Sequence, residues 1–138
     1  MSISLAIDTS TSRTIVGIIE GGQVTFEEFH EGATDHGRAL SELVAKALKT
    51  CAPVTDVVVG MGPGPFTGLR VGISFAHTFR LARNIPVIGI CSLDAIAIDT
   101  KTEGMVIFTE FQKPLDNPSQ LSPVQACAHA LTQGSKVT

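Results

Sequence analysis

The stretch of sequence that decides the fold is VVVGMGPGPFTGLRVGISFAHTFRLAR, residues 57–83. Its first three residues are β-branched and uninterrupted, which is typical of a short strand buried on both faces of a sheet. Glycines and prolines follow immediately and indicate a tight turn. A helix is predicted after this turn, over about residues 67–83. Strand, glycine-rich turn and helix in this order predict one parallel crossover unit of an α/β sheet.

Three strands are predicted on the N-terminal side of this unit. Glu20-Gly21-Gly22 is a hairpin signal between the second and third strands, so the chain is expected to open with an antiparallel meander. In the third strand Val24 and Phe26 are expected on one face, with His30 as a further candidate. A helix over about 36–50 should follow, with Thr34 or Asp35 as its N-cap. The three strands are predicted at residues 3–8, 14–19 and 24–29.

On the C-terminal side the pattern predicts a second buried strand at 86–90 and a helix over 93–98 that Ser92 would cap. The resulting order is β-β-β-α-β-α-β-α in a mixed sheet. This order predicts an α/β fold of the actin-like, ribonuclease-H-like kind, with residues 1–100 as one lobe. A last strand at 105–109 and, where the signal is weaker, a terminal helix over 123–132 are expected in residues 101–138, the remnant of a second lobe and a tail.

Composition excludes several classes of protein. Of the 138 residues 43% are hydrophobic, which is too many for a disordered chain, and the net charge of −3 gives no general attraction to nucleic acid or anionic lipid. The seven phenylalanines are the chain's full set of large aromatics, so unaided RNA binding is not expected. Three scattered cysteines fit neither a disulfide framework nor a zinc site. With neither a signal peptide nor a membrane span in the pattern, a cytoplasmic protein is expected.

Two segments could hold a phosphate group. Backbone N–H groups of Gly62, Gly64 and Gly68, with Thr67 at the helix start, could bind one at the positive end of the helix. Glycines that only shape the turn are the favoured explanation, because the lysine of a P-loop is missing. Asp8 and Ser10 follow the first strand, where actin-like folds place an Asp-x-Gly-Thr turn, but a serine at the glycine position favours a plain turn.

Gly68, Gly72 and Ala76 lie four residues apart and form one smooth stripe along the predicted helix. Two glycines inside a helix cost about 1 kcal/mol each relative to alanine, so something must approach this stripe closely. The sheet of the same chain is one candidate. A partner helix flanked by Arg70, Phe75 and Phe79 is the other.

LAIDTSTSRTIVGI, the helix from His36, and VVVGMGPGPFTGLRVGISFAHTFRLARNIPVIGICSLDAIA together resemble the TsaB (YeaZ) family, over about residues 3–98. The resemblance implies an actin-like fold and a bacterial complex that forms N6-threonylcarbamoyladenosine at position 37 of tRNA. The implied partners are the catalytic TsaD subunit and the ATPase TsaE, with TsaC supplying threonylcarbamoyl-AMP. Contact with tRNA would occur only through the complex. Members of this family are longer and have a second lobe.

The resemblance also implies a protein without chemistry of its own, and so no catalytic residue and no metal. Where the related TsaD carries a His-x-x-x-His metal pair, this chain has Ser92 and Ile96, and isoleucine cannot bind a metal. The leading hypothesis is therefore an accessory subunit that pairs with TsaD, or with a second copy of itself. A nucleotide-binding enzyme lobe using Asp8, Ser10 and the glycine turn is the alternative, in which a weakly bound nucleotide would be the only cofactor. A metal-dependent peptidase is the least favoured reading. The expected partner surface comprises His36, Leu40, Leu43, Ala47, Gly68, Arg70, Gly72, Phe75, Ala76 and Phe79.

Overall fold

The structure, a computed structural model, describes residues 1–92 of the chain. The helices predicted over 93–98 and 123–132, the strand at 105–109 and the lobe boundary at residue 100 lie outside these residues. Within the described part the predicted order of elements is confirmed through the last strand. The elements are β1 Ile3–Asp8, β2 Arg13–Glu20, β3 Gln23–Glu31, α1 His36–Leu48, β4 Asp56–Gly60, α2 Phe66–Arg83 and β5 Val87–Ile90.

The five strands form one mixed sheet in the order β3-β2-β1-β4-β5. The first three are antiparallel neighbours, and β4 runs parallel to both β1 and β5. Gly21 and Gly22, at φ +53° and +82°, make the tight turn between β2 and β3 that glycine is suited to form. A hairpin meander joined to parallel strands by helices is therefore confirmed as the fold class.

The central strands are apolar on both faces. Leu5, Val57 and Val59 point to the face on which α1 and α2 pack, where Leu40 and Val44 of α1 meet them. Ala6, Val58, Ile15 and Ile19 form a separate buried cluster on the opposite face. Val57, Val58 and Val59 are at most 2% exposed, so the prediction of a strand buried on both faces is confirmed.

Two predictions about strand burial are wrong. Val24 and Phe26 pack on opposite faces, because the register between β2 and β3 shifts between Ile18 and Ile19, as at a β-bulge. The strand predicted as buried at 86–90 is instead half-buried or exposed along β5. Among the described strands β5 is an edge of the sheet with β4 as its sole neighbour, which explains its exposure.

The helix ends lie close to their predicted places. Asp35 occupies the N-cap position of α1, but its carboxylate makes no capping bond and instead pairs with Arg38. Helix α1 ends at Leu48, two residues before the predicted end, and α2 begins one residue early at Phe66. Asn84 closes α2 in the left-handed conformation (φ +53°), which asparagine tolerates better than most residues.

The stripe of small residues on α2 faces the protein's own β1–β2 turn. Thr9 Oγ1 donates a hydrogen bond to the carbonyl of Gly68 (2.7 Å) and accepts one from the N–H of Gly72 (3.1 Å). A Cβ atom at Gly72 would lie 2.5 Å from this oxygen, and Ala76 is fully buried. The expectation that the stripe is open to a partner helix is therefore corrected: the side chain of Thr9 occupies the space that the two glycines leave.

This packing predicts that Gly72→Leu destabilises the protein. The new side chain would overlap Thr9 and displace both of its hydrogen bonds, so we expect a loss of at least about 3 kcal/mol in the free energy of unfolding. The measurement is urea denaturation followed by circular dichroism.

Gly37→Ala is the matched control, because a Cβ at Gly37 meets nothing within 4 Å. We expect it to leave stability unchanged or to raise it by up to about 1 kcal/mol. Normal stability of Gly72→Leu together with a changed oligomeric state would show that the stripe faces outward after all.

Candidate functional site

Four of the six residues predicted to bind phosphate, Asp8, Ser10, Gly62 and Gly64, come together at the carboxyl edge of the sheet, whereas Gly68 lies against Thr9 and His36. Asp8 ends β1, the glycine turn follows β4, and Ser92 follows β5, so the three segments meet where parallel strands end. We call Asp8, Ser10, Gly60, Gly62, Gly64 and Ser92 the strand-edge cluster. Thr67, predicted with this group, instead points into a groove between α1 and α2.

The carboxylate of Asp8 has hydrogen-bond donors from its own chain on both oxygens. Its Oδ1 accepts from the N–H (2.7 Å) and the hydroxyl (2.6 Å) of Ser10, and its Oδ2 accepts from the hydroxyl of Ser92 (2.9 Å). Ser92 Oγ in turn accepts from the N–H of Gly62 at 3.3 Å. Asp8 is 9% exposed. The N–H of Gly62, one of the groups that could have held a phosphate, is thus already paired with an internal acceptor.

The glycines of the cluster serve this internal packing. A Cβ at Gly60 would lie 2.1 Å from Asp8 Oδ2, and a Cβ at Gly64 would lie 2.1 Å from the carbonyl oxygen of Ser10. The glycines therefore let the β4–α2 turn close onto the β1–β2 turn. A nearly buried aspartate at the centre of the cluster also repels a phosphate group. Within the strand-edge cluster, Asp8, Ser10, Ser92 and the N–H of Gly62 are therefore bonded to one another.

Sequence analysis missed two members of this cluster. Gly60 was not selected, although it lies one residue beyond the β4 partner of Ile7 and hence beside Asp8. Ser92 was taken as a helix cap and as the replacement of a metal ligand. The parallel pairing of β1 with β4 is the signal that could have placed Gly60 and Asp8 together, but which strands are neighbours is not readable from composition.

The second candidate site is an open groove of about 540 Å³ between α1 and α2. Three of the residues predicted for a partner surface, Leu40, Arg70 and Phe75, line it. Among residues 1–92, Arg70 is the one charged residue that lines it and is exposed, with its guanidinium 5.2 Å from the ring centre of Phe66. The lining residues are Gly37, Leu40, Thr67, Arg70, Val71, Ser74, Phe75 and Thr78.

The other residues predicted for the partner surface are not on this groove. The structure buries His36, Leu43, Ala47, Gly68, Gly72 and Ala76 in the protein's own interior, because α1 and α2 use these faces to cover the sheet and each other. Their assignment to a partner surface is corrected. Phe79 is half-buried and stacks on Phe75 with a centroid distance of 6.0 Å, which extends the aromatic surface along α2.

Phe66 is a groove-side residue that sequence analysis did not select. Its ring is 73% exposed, the guanidinium of Arg70 lies over it, and Arg70 itself lines the groove. A large exposed aromatic ring held by an arginine is typical of the residues that dominate protein interfaces. Phe66 follows Pro63-Gly64-Pro65 in the sequence and was interpreted as part of the turn, so it was not selected.

Helix α1 carries charged residues of both signs. At the start of α1 the guanidinium of Arg38 bonds to Asp35 and Glu42, and the bond to Asp35 holds the pKa of that carboxyl below its usual range. These three side chains are solvent-exposed, so they contribute little to stability. Helix α2 carries only basic and neutral residues. Among residues 1–92 we find neither a group of metal-ligating side chains nor a helix suited to crossing a membrane.

Comparison with known proteins places the chain in a family. The family model TsaD, described as tRNA N6-adenosine threonylcarbamoyltransferase, matches residues 30–110, which is more than half of the chain. An uncharacterized protein of Mycobacterium leprae is 43% identical over 115 residues, covering 78% of this chain and 32% of the relative. The tRNA threonylcarbamoyladenosine biosynthesis protein TsaB of Escherichia coli is 34% identical over 97 residues, covering 67% of this chain and 42% of the relative.

Solved structures agree with these relatives. YeaZ from Pseudomonas aeruginosa superposes with a TM-score of 0.66 at 30% identity, over 70% of this chain and 47% of that one. The chain thus spans about a third to a half of the length of the proteins it matches. The fold is the actin-like, ribonuclease-H-like one expected from the element order, and the chain belongs to the TsaB (YeaZ) family.

Proposed function

We propose that the chain is a non-catalytic subunit in the formation of N6-threonylcarbamoyladenosine at position 37 of tRNA. In this role it binds a TsaD-type catalytic subunit, with the ATPase TsaE as a further member of the complex and tRNA contacted through the complex. The names of the TsaB relatives support the pathway. The cytoplasm is the compartment in which such a subunit would act.

The observation that carries this proposal is the contrast between the two candidate sites. At the strand edge, where an enzyme of this fold class would hold its ligand, Asp8, Ser10 and Ser92 are bonded to one another. The groove between α1 and α2 is open and presents Arg70 and Phe75 to an incoming surface. The groove is therefore an accessible surface suited to a protein partner.

The groove also defines the chemistry expected of that partner. Its walls are mainly apolar or small and neutral, and Arg70 is the one charged side chain that the described part of the protein contributes to it. A partner helix that fits would place apolar side chains along Phe75 and Val71 and a carboxylate near Arg70, where a guanidinium can bind it with two hydrogen bonds. A second copy of the chain could use the same groove when the TsaD-type subunit is absent, which gives a twofold homodimer.

Arg70→Glu is the variant that tests this surface. Reversing the charge at the groove should weaken binding to a TsaD-type subunit of the same organism by at least about tenfold, since like charges across an interface cost several kcal/mol. The measurements are calorimetric titration of the full chain with that subunit and the yield of modified tRNA in a reconstituted reaction.

Arg80→Glu is its matched control, because Arg80 is an exposed arginine of the same helix that does not line the groove. It should bind and support modification as the unchanged protein does. Equal affinities for the two variants would place the contact elsewhere, and full modification of tRNA in the absence of this chain would refute the subunit role itself.

The nucleotide-binding alternative has its own test. With Asp8 buried at the strand edge and the N–H of Gly62 already bonded to Ser92, we expect no saturable heat when the full chain is titrated with ATP and Mg²⁺ up to millimolar concentrations. Saturable binding that Asp8→Ala abolishes would show instead that the strand edge opens to hold a nucleotide.

A further inference from the structure

The contact between Thr9 and α2 is made with backbone groups of the helix. Gly68 and Gly72 are four residues apart, so the carbonyl of the first and the N–H of the second are the two groups that pair with each other in an α-helix. The hydroxyl of Thr9 donates to that carbonyl at 2.7 Å and accepts from that N–H at 3.1 Å. A side chain of the β1–β2 turn is thus bonded to both members of one helical pair.

A second buried contact reaches the same turn of α2 from the other helix. His36, the first residue of α1, is 5% exposed, and its Nδ1 lies 2.8 Å from the hydroxyl of Thr14 in β2. Its Nε2 faces Gly68, where a Cβ would lie only 2.9 Å away. Gly68 is therefore contacted by Thr9 from the sheet and by His36 from α1.

These contacts lie directly beneath one end of the groove. Gly37 follows His36 in sequence and Thr67 precedes Gly68, and both Gly37 and Thr67 line the groove. The distance between the first turns of the two helices is thus set by buried groups rather than by the groove's own walls. Gly68 and Gly72 have no Cβ atom, and a Cβ at either position would prevent this approach.

We propose that Thr9 and His36 are positioning residues of the groove, which fix the spacing of α1 and α2 and thereby the shape that a partner protein binds. The proposal rests on the proposed function of the groove as a partner site. It assigns a role to two buried residues, and it explains why α2 has glycine at positions 68 and 72.

Thr9→Val and Thr9→Ser form the test pair. Valine has the shape of threonine, but its methyl group would lie against the carbonyl and the N–H with no bond to either, so α2 must shift. Serine keeps the hydroxyl. In the free full chain, valine should speed hydrogen exchange by roughly tenfold or more at two amides. The amide of Gly72 in α2 loses its bond to Thr9, and the amide of Ala39 in α1 reports the change in spacing between the two helices.

The same variants are then titrated with the TsaD-type subunit under conditions where each is fully folded. Thr9→Val should bind about tenfold more weakly, and Thr9→Ser should bind as the unchanged protein does. A purely structural role would lower the free energy of unfolding without changing this affinity. Should Thr9→Val fail to fold, Thr9→Ala supplies both measurements, because it removes the hydroxyl without adding bulk.

Each outcome decides the proposal. Unchanged exchange at Ala39, or a Thr9→Ser variant as impaired as Thr9→Val, overturns it. Normal affinity of Thr9→Val, while Arg70→Glu binds weakly, overturns it and leaves the proposed function intact. If Arg70→Glu also binds normally, the proposed function fails instead, and exchange at Ala39 in the free chain alone decides whether Thr9 sets the helix spacing.

Discussion

The hydroxyl of Thr9, bonded to the carbonyl of Gly68 and the N–H of Gly72, is the contact on which the arrangement of this protein depends. It ties the turn after β1 to the helix that follows β4, and these two segments are about sixty residues apart in sequence. Because buried polar groups that lose their partners are costly, the contact holds α2 in one place along the sheet. With α2 fixed there, its outer face can form a groove with α1.

The same packing closes the edge of the sheet where proteins of this architecture commonly bind ligands. Asp8 lies at the end of β1, but its oxygens accept hydrogen bonds from Ser10 and Ser92. The glycine turn contributes room for that carboxylate, and the N–H of Gly62 is bonded to Ser92. We propose the outer surfaces of α1 and α2 as the ones that a partner protein binds.

Local sequence was a good guide to the elements. Interactions within a few residues determine the strand of Val57–Val59, the Gly21-Gly22 turn and helix α1. Each of these elements was found where it was expected. Fold class followed from their order. The exposure of β5 was not predictable in this way, because it depends on which strand is at an edge.

The site was predictable only in part. A residue pattern can indicate that another group packs closely against a helix, but it does not identify that group. Glycines at 68 and 72 correctly indicated that something approaches α2 closely, but the spacing could not distinguish a partner helix from Thr9 of the same chain. Asp8 and the glycine turn were correctly expected near each other. That they would bond internally depends on Ser92, which is 84 residues away in sequence.

The central claim is that the groove between α1 and α2, and not the strand edge, is the surface at which this protein acts. The most direct measurement is hydrogen–deuterium exchange with mass spectrometry on the full chain, alone, with a TsaD-type subunit, and with ATP and Mg²⁺. The account predicts that the subunit protects peptides covering residues 37–40 and 67–78 and that the nucleotide changes nothing. Protection confined to β3, or protection of residues 8–12 and 60–64 by the nucleotide, would contradict it.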